Sequence, residues 1–311
     1  RTHWRNMKAA TELAGFNPEK GTLLTIGVFD GVHLGHRHLI NTLTHKATEL
    51  NLISGVVTFR YHPRLLLLPH PKPVQLTAFE ERGNLLQNLG IVIVIPLTFT
   101  AELAKMSARE FVTLLKQHLR MQGLVIGPNF ALGREREGNA AKLKALGEEL
   151  DFTVEVILPL IIESSLVSST AIRESLAQGN IAETTKLLGR HFSLRGLVVG
   201  GVERGQSLGF PTANIDLNSD LALPSNGVYA TRAHVTNRVY DSVTNIGNRP
   251  TFNENKRTIE VHLLDFAEDI YGEQLTIEFV ERLRAEIKFT DSEELVSQIH
   301  KDIKQAKAIL K

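Results

Sequence analysis

The 311-residue sequence predicts an α/β unit followed by an all-β unit. Up to about residue 187, apolar β-branched runs alternate with segments whose apolar residues recur at helical spacing. That pattern argues for a Rossmann-like parallel sheet with helices on both faces. From about residue 192, strand-like runs follow one another without helices, separated by Gly-, Pro- or Asn-rich turns, as in a small antiparallel β-barrel. The length also suffices for two cores. The expected domains are 1–187 and 188–311, meeting at Leu188-Gly189-Arg190-His191-Phe192.

In the first unit, Leu23–Phe29 reads as a buried strand, and the next helix carries Leu39, Ile40, Leu43, Ala47 and Leu50 on one face. Ile53–Phe59 is the second strand. Helical patterns at Phe79–Leu89, Ala108–Leu119 and Asn139–Leu150 alternate with apolar runs at Ile91–Ile95, Gly123–Ile126 and Phe152–Ile157, and Ile181–Leu188 adds a short helix. In the second unit the strands are Leu194–Val202, Gly227–Val235, Val239–Ile246, Thr258–Phe266 and Gln274–Leu283. The chain closes on an amphipathic terminal helix, with Leu295, Ile299, Ile303, Ala306 and Leu310 as a stripe against the barrel.

Composition narrows the function. Lys+Arg 35 against Asp+Glu 34 leaves a net charge of +1, so no global field recruits nucleic acid or an anionic membrane, and small-molecule partners are expected. With Cys 0 there are no disulfides, thiolate metal sites or cysteine nucleophiles, which fits a reducing, cytoplasmic setting. The longest apolar runs are too short to span a bilayer. Arg1–Lys20 lacks an apolar signal core, and Arg rather than Met at position 1 is expected of a trimmed chain. No Gly-x-Gly-x-x-Gly or P-loop pattern occurs, which speaks against a dehydrogenase or a P-loop enzyme.

Chemistry concentrates in short stretches. Between the first strand and its helix lies Gly27-Val28-Phe29-Asp30-Gly31-Val32-His33-Leu34-Gly35-His36. Glycines admit backbone N–H groups to an anion, a helix start carries positive partial charge, and imidazoles add donors: a phosphate site in outline. Ser168-Ser169-Thr170-Ala171-Ile172-Arg173 combines N-cap chemistry with a basic first turn. In Gly209-Phe210-Pro211-Thr212-Ala213-Asn214, Thr212 and Asn214 point the same way when extended and offer two hard oxygen donors suited to Mg²⁺. In Ile259–Phe266, alternation puts Ile259, Val261 and Leu263 on one face and Glu260 and His262 on the other, where an exposed strand would leave them solvated.

The His33-x-Gly35-His36 element resembles the nucleotidylyltransferase signature. With Phe29-Asp30-Gly31 before it, the stretch resembles the prokaryotic bifunctional riboflavin kinase/FAD synthetase family. Gly127–Gly138, which includes Asn129 and Phe130, resembles that family's flavin-side loop, with Leu132 replacing a Phe. Thr58–Pro63 resembles its nucleotide-lining segment, with Tyr61 in place of the usual proline, so Arg60, Tyr61 and His62 receive no roles. Ser-Ser-Thr-x-Ile-Arg resembles the superfamily's second signature. Gly-Phe-Pro-Thr-Ala-Asn, Asn245–Phe252 and the Glu260 segment resemble riboflavin kinase motifs.

The resemblance implies ATP-dependent phosphorylation of riboflavin to FMN in the barrel and adenylylation of FMN to FAD in the first unit. By the same resemblance His33, His36 and Glu260 are catalytic. Gly27, Phe29, Asp30, Gly31, Gly35, Ser168, Ser169, Thr170, Arg173, Gly205, Gly209 and Pro211 bind nucleotide or phosphate. Asn129, Phe130 and Arg284 bind flavin, and Thr212 and Asn214 hold Mg²⁺. Weak homo-oligomer formation is also an expectation. An adenylyltransferase for another phosphorylated substrate would share His33 and His36 without needing Glu260. A flavin-binding or flavin-sensing protein would need none of the phosphate-handling residues.

Overall fold

The computed structural model describes residues 8–61, 74–163, 165–200, 208–217, 220–251 and 254–311. The chain forms two compact units, Arg1–Ser169 and Thr170–Lys311.

In the first unit the strands are β1 (Thr22–Gly27), β2 (Ile53–Phe59), β3 (Ile93–Leu97), β4 (Met121–Ile126), the short pair β5 (Ala131–Leu132) and β6 (Gly138–Asn139), β7 (Thr153–Val156), and the short pair β8 (Ile161–Ile162) and β9 (Ser165–Leu166). The helices are α1 (Lys8–Ala14), α2 (Leu34–Glu49), α3 (Phe79–Asn88), α4 (Ala101–Lys105), α5 (Ala108–Leu119) and α6 (Ala140–Leu150). The main sheet is parallel, in the order β3-β2-β1-β4-β7. Leu24, Ile26 and Val57 enter the core that also holds residues of α1, α5 and α6, while Leu23 and Val56 enter the core that holds residues of α2 and α3. Burial on both faces is why these strands read as unbroken apolar runs. The order reverses between β1 and β4, so the crevice beyond their carboxyl ends is the place for a ligand.

Two local expectations are corrected. The first strand stops at Gly27 rather than Phe29, because Phe29 takes a left-handed conformation with φ 52 and starts a turn. Leu50 caps α2 and is 57% exposed, outside the apolar face of Ile40, Leu43 and Ala47. The short helices α1 and α4 have no counterpart in the sequence-based expectation; α1 buries Ala9, Ala10 and Leu13.

The second unit contains α7 (Ser169–Gln178, starting on the last residue of the first unit), α8 (Ile181–Leu188) and a closed barrel. The barrel strands are β10 (Phe192–Val199), β11 (Ala213–Asp216), β12 (Gly227–Val235), β13 (Arg238–Thr251), β14 (Glu254–Leu263) and β15 (Gln274–Arg284), ordered β10-β11-β14-β13-β12-β15. Tyr229 and Phe279 meet edge to face, and Thr231, Ser242 and Thr244 satisfy one another through buried hydroxyl hydrogen bonds at 2.7 and 2.8 Å. Val228, Ala230 and Val243 instead cluster with Ala306 and Leu310 of α9 (Ser292–Leu310).

The compact division falls earlier than 187/188 because α7 and α8 belong by packing to the barrel. The N–H of Ser225 donates to Leu176 O (2.9 Å), and Leu187 and Leu188 are buried.

Candidate active sites

In the first unit the histidine turn leaves β1 at the predicted crevice. Phe29 (φ 52), Gly31 (φ 81) and Val32 (φ 40) all lie in left-handed space, which is costly for a β-branched Val. Surrounding bonds hold the turn. The Leu76 N–H donates to both Asp30 carboxylate oxygens (2.8 and 3.0 Å), and the Thr77 N–H to one (3.2 Å). Gly31 N–H donates to Thr77 Oγ1 (3.1 Å), Thr58 Oγ1 to Val28 O (3.2 Å), and Ser169 Oγ to Asp30 O (2.9 Å). Asp30 is thus buried and engaged with backbone amides, and Ser169 grips the turn directly.

The turn delivers two stacked imidazoles. His33 caps α2, its Nδ1 accepting the His36 N–H (3.2 Å), so the neutral ring carries its proton on Nε2. The His33 and His36 ring centroids are 3.7 Å apart and inclined by 17°, and Phe29 tilts against His36 at 5.1 Å. His36 as a residue is half-buried, and its Nδ1 is enclosed without a hydrogen-bond partner among the described residues. Burial, then the neighbouring His33 and the charge of Arg82, hold His36 well below the ordinary 6.5, so it is neutral near pH 7 and can offer hydrogen bonds rather than charge. A Cβ on Gly35 would sit 3.2 Å from the His33 ring and from Val167 O, and one on Gly27 would sit 2.9 Å from the Phe29 ring; both positions need glycine's small size.

The loop after β4 leaves the same crevice. Asn129 is exposed and Phe130 half-buried against the core, and Arg136 Nη2 donates to Asn129 O (3.0 Å). Ser168 and Ser169 end this unit. Thr170 follows in the first turn of α7, and Arg173, expected in that first turn, begins the second because the helix already starts at Ser169.

In the barrel, cross-strand register assembles the site. Glu260 pairs with Asn214 of β11 on one side and with Asn245 of β13 on the other, so the three side chains form a row on one face. Glu260 points out of the barrel as alternation requires, yet a cavity of about 460 Å³ under α9 takes it in. That cavity is lined by Thr212, Asn214, Asn245, Glu260, Arg284 and Ile299, among others. A second cavity of about 500 Å³ is lined by Val198, Pro211, Phe266, Ile270 and Tyr271, and Thr212 belongs to both. His262 Nδ1 lies 2.8 Å from Pro211 O; a carbonyl only accepts, so Nδ1 is the donor and fixes the segment before Thr212. Gly209, at φ 87, supplies the left-handed turn into Phe210. Gly205 and His62 lie outside the described residues.

Arg284 lines the first of these cavities, but its guanidinium is committed to Asp302 of α9: Nε donates to both carboxylate oxygens (3.0 Å each) and Nη2 to Oδ2 (2.8 Å). Gln298 Nε2 adds 2.8 Å to Asp302 Oδ1. Asp302 and Arg82 were missed in the sequence. Each interrupts an apolar helix face four residues before a core residue, Asp302 before Ala306 and Arg82 before Leu86, and a charge at such a position was the available signal. The largest of the three cavities, about 1020 Å³, opens at the amino ends of β4 and β7 beside Lys116, Arg120 and Lys144, away from the carboxyl ends and from every predicted residue.

A crevice-bound histidine turn and a barrel with a carboxylate between two amides are two separate candidate centres, a pattern that fits a nucleotide-dependent transferase. Comparison with known proteins makes the class specific. Residues 16–171 match the FAD synthetase family model and residues 188–310 the riboflavin kinase model. Bifunctional riboflavin kinase/FMN adenylyltransferases from Haemophilus influenzae and Bacillus subtilis are 38% and 35% identical, covering 93% and 92% of this chain and 94% and 91% of theirs. A solved structure described as a macrolide-efflux protein from Streptococcus pneumoniae superposes with TM-score 0.90 at 29% identity, covering 97% of each chain. Among the described residues no helix is long and apolar enough to cross a membrane. The chain belongs to the bifunctional riboflavin kinase/FMN adenylyltransferase family: it phosphorylates riboflavin to FMN and adenylylates FMN to FAD, with ATP as co-substrate of both.

Proposed function

We propose that the two reactions run at the two centres described, with FMN adenylylation at the histidine turn and riboflavin phosphorylation at the Glu260 row. The observation that carries the barrel assignment is the register of Glu260 between Asn214 and Asn245, at a cavity sharing Thr212 with a second cavity. Riboflavin in the first cavity and the ATP base in the second would bring hydroxyl and γ-phosphate together near Thr212. Glu260 then takes the proton of the ribityl hydroxyl as its oxygen bonds to the γ-phosphorus and ADP leaves. Thr212 and Asn214 are neutral oxygen donors, a set that fits Mg²⁺ held mostly by nucleotide phosphates and water; bound there, the ion would neutralise charge on those phosphates.

In the adenylyl transfer, an FMN phosphate oxygen bonds to the α-phosphorus and the bond to pyrophosphate breaks. The attacking phosphate is already ionised, so alignment and charge compensation are needed rather than a base. Neutral His33 and His36 supply hydrogen bonds, the α2 N-terminus supplies partial positive charge, and Gly27, Gly31 and Gly35 keep the approach open. Phe29 and Asp30 serve by shaping the turn. For Ser168, Thr170 and Arg173 on the departing phosphates, Gly205, Gly209 and Pro211 at the kinase nucleotide, and Asn129 and Phe130 at the flavin, the assignment rests on the motif resemblance. Arg284 serves the flavin cavity by shaping its wall through Asp302. The functional boundary lies at 187/188, the enzyme works in the cytoplasm on small molecules without nucleic acid or membrane, and any self-association is weak.

Incubation with riboflavin and Mg-ATP, followed by chromatography of riboflavin, FMN and FAD, tests the assignment in site variants. Glu260→Gln should yield no FMN from riboflavin yet convert supplied FMN to FAD. Unchanged riboflavin phosphorylation by that variant contradicts the proposed base.

A further inference from the structure

The histidine turn needs positive charge that its own neutral imidazoles do not provide, and a cation stands behind it. Arg82 of α3 is 1% exposed, its Nη1 donating to Val28 O (2.7 Å) and its Nη2 to Phe59 O (2.9 Å), with its guanidinium 5.1 Å from the centre of the Phe79 ring. Val28 lies one residue before the left-handed run that delivers His33 and His36, and Phe59 ends the neighbouring strand β2. A fully buried guanidinium is expensive to place, and two carbonyls satisfy only part of it.

We propose that Arg82 is a positioning residue of the adenylyl-transfer centre: it ties the strand end and the turn together through two carbonyls and holds a permanent positive charge beside the histidine pair. The inference rests on His36 belonging to that centre. Burial lowers the Arg82 pKa and Asp30 opposes that shift; from so high an ordinary value the side chain stays cationic. Among the described residues, the charged and titratable groups acting on His36 are His33 on its own turn and Arg82 on α3, and both disfavour the imidazolium. Arg82 therefore adds to the effect of burial, which is the main cause of the neutral His36, while supplying a fixed positive field for the phosphates. Because the charge is buried, salt screens that field little.

The test compares Arg82→Gln, which keeps a donor but loses the charge, with Arg82→Lys, which keeps the charge and three donors. Imidazole NMR of His36 is followed against pH in the full chain, together with FMN adenylylation and riboflavin phosphorylation. In Arg82→Gln the His36 pKa should rise toward 6.5 and kcat/KM for FMN adenylylation should fall about tenfold or more, the scale of disturbed alignment. Riboflavin phosphorylation should stay within about twofold. Arg82→Lys should restore both the titration and most of the adenylylation. An unmoved His36 titration in Arg82→Gln overturns the inference, as does a folded Arg82→Lys without adenylylation; the latter decides the matter if Arg82→Gln does not fold. Full adenylylation by His36→Ala would defeat the reading of the centre and this inference with it. Loss in His36→Ala beside an unmoved titration in Arg82→Gln defeats the inference alone.

Discussion

The two centres are built by opposite means. The histidine turn is irregular: three left-handed residues are held in place by amides and carbonyls from other segments, so its geometry depends on bonds to distant parts of the chain. The Glu260 row is regular: three strands in register bring Asn214, Glu260 and Asn245 together, and only the covering helix is special. A strained turn sets groups with little freedom but fails when any tether goes. A row on a closed barrel tolerates neighbours changing but depends on what covers it.

The sharpest break in this contrast is Glu260→Gln, which should lower riboflavin phosphorylation by about 10²–10⁴, the usual worth of a positioned base, with the barrel's stability unchanged. Next is the cover. Asp302→Ala strands the Arg284 charge against the cavity, and losing one partner of a buried pair costs about 3–5 kcal/mol, read as a lowered denaturation midpoint of the barrel together with a raised KM for riboflavin. His36→Ala should lower kcat of FMN adenylylation by about 10²–10³, by analogy with oxyanion-hole deletions, and leave the kinase reaction intact.

The smallest effect is in pH. The folded first unit takes up fewer protons at His36 than the unfolded chain, whose imidazole titrates near 6.5, so this contribution is complete above that pH and is lost as pH falls through the depressed folded value. Acid denaturation followed in the wild type and His36→Gln should show a shallower pH dependence in the variant. Equal slopes would mean that His36 is not depressed.

How much of this could be read from the chain follows the same contrast. The regular parts were legible because periodicity and register obey local rules: Ile53–Phe59, Ala108–Leu119, Ile181–Leu188 and Gly227–Val235 lie where apolar spacing puts them. The same-face pairing of Thr212 with Asn214 and the outward direction of Glu260 also follow from the strand period. Alternation could not tell that α9 would cover Glu260, because that depends on partners far along the chain. Nor could it tell that Asp30 would turn inward to Leu76 and Thr77, or that Arg82 would reach Val28 and Phe59: those bonds span 23 to 54 residues and carry no local pattern.

The most direct measurement of two independent centres in one chain is complementation. His36→Ala and Glu260→Gln proteins are given riboflavin and Mg-ATP separately and then mixed. The expected result is FMN alone from the first, no flavin product from the second, and FAD from the mixture as FMN released by one is adenylylated by the other. Loss of both activities in either variant, or no FAD from the mixture while Glu260→Gln still converts supplied FMN, would contradict two centres that work independently.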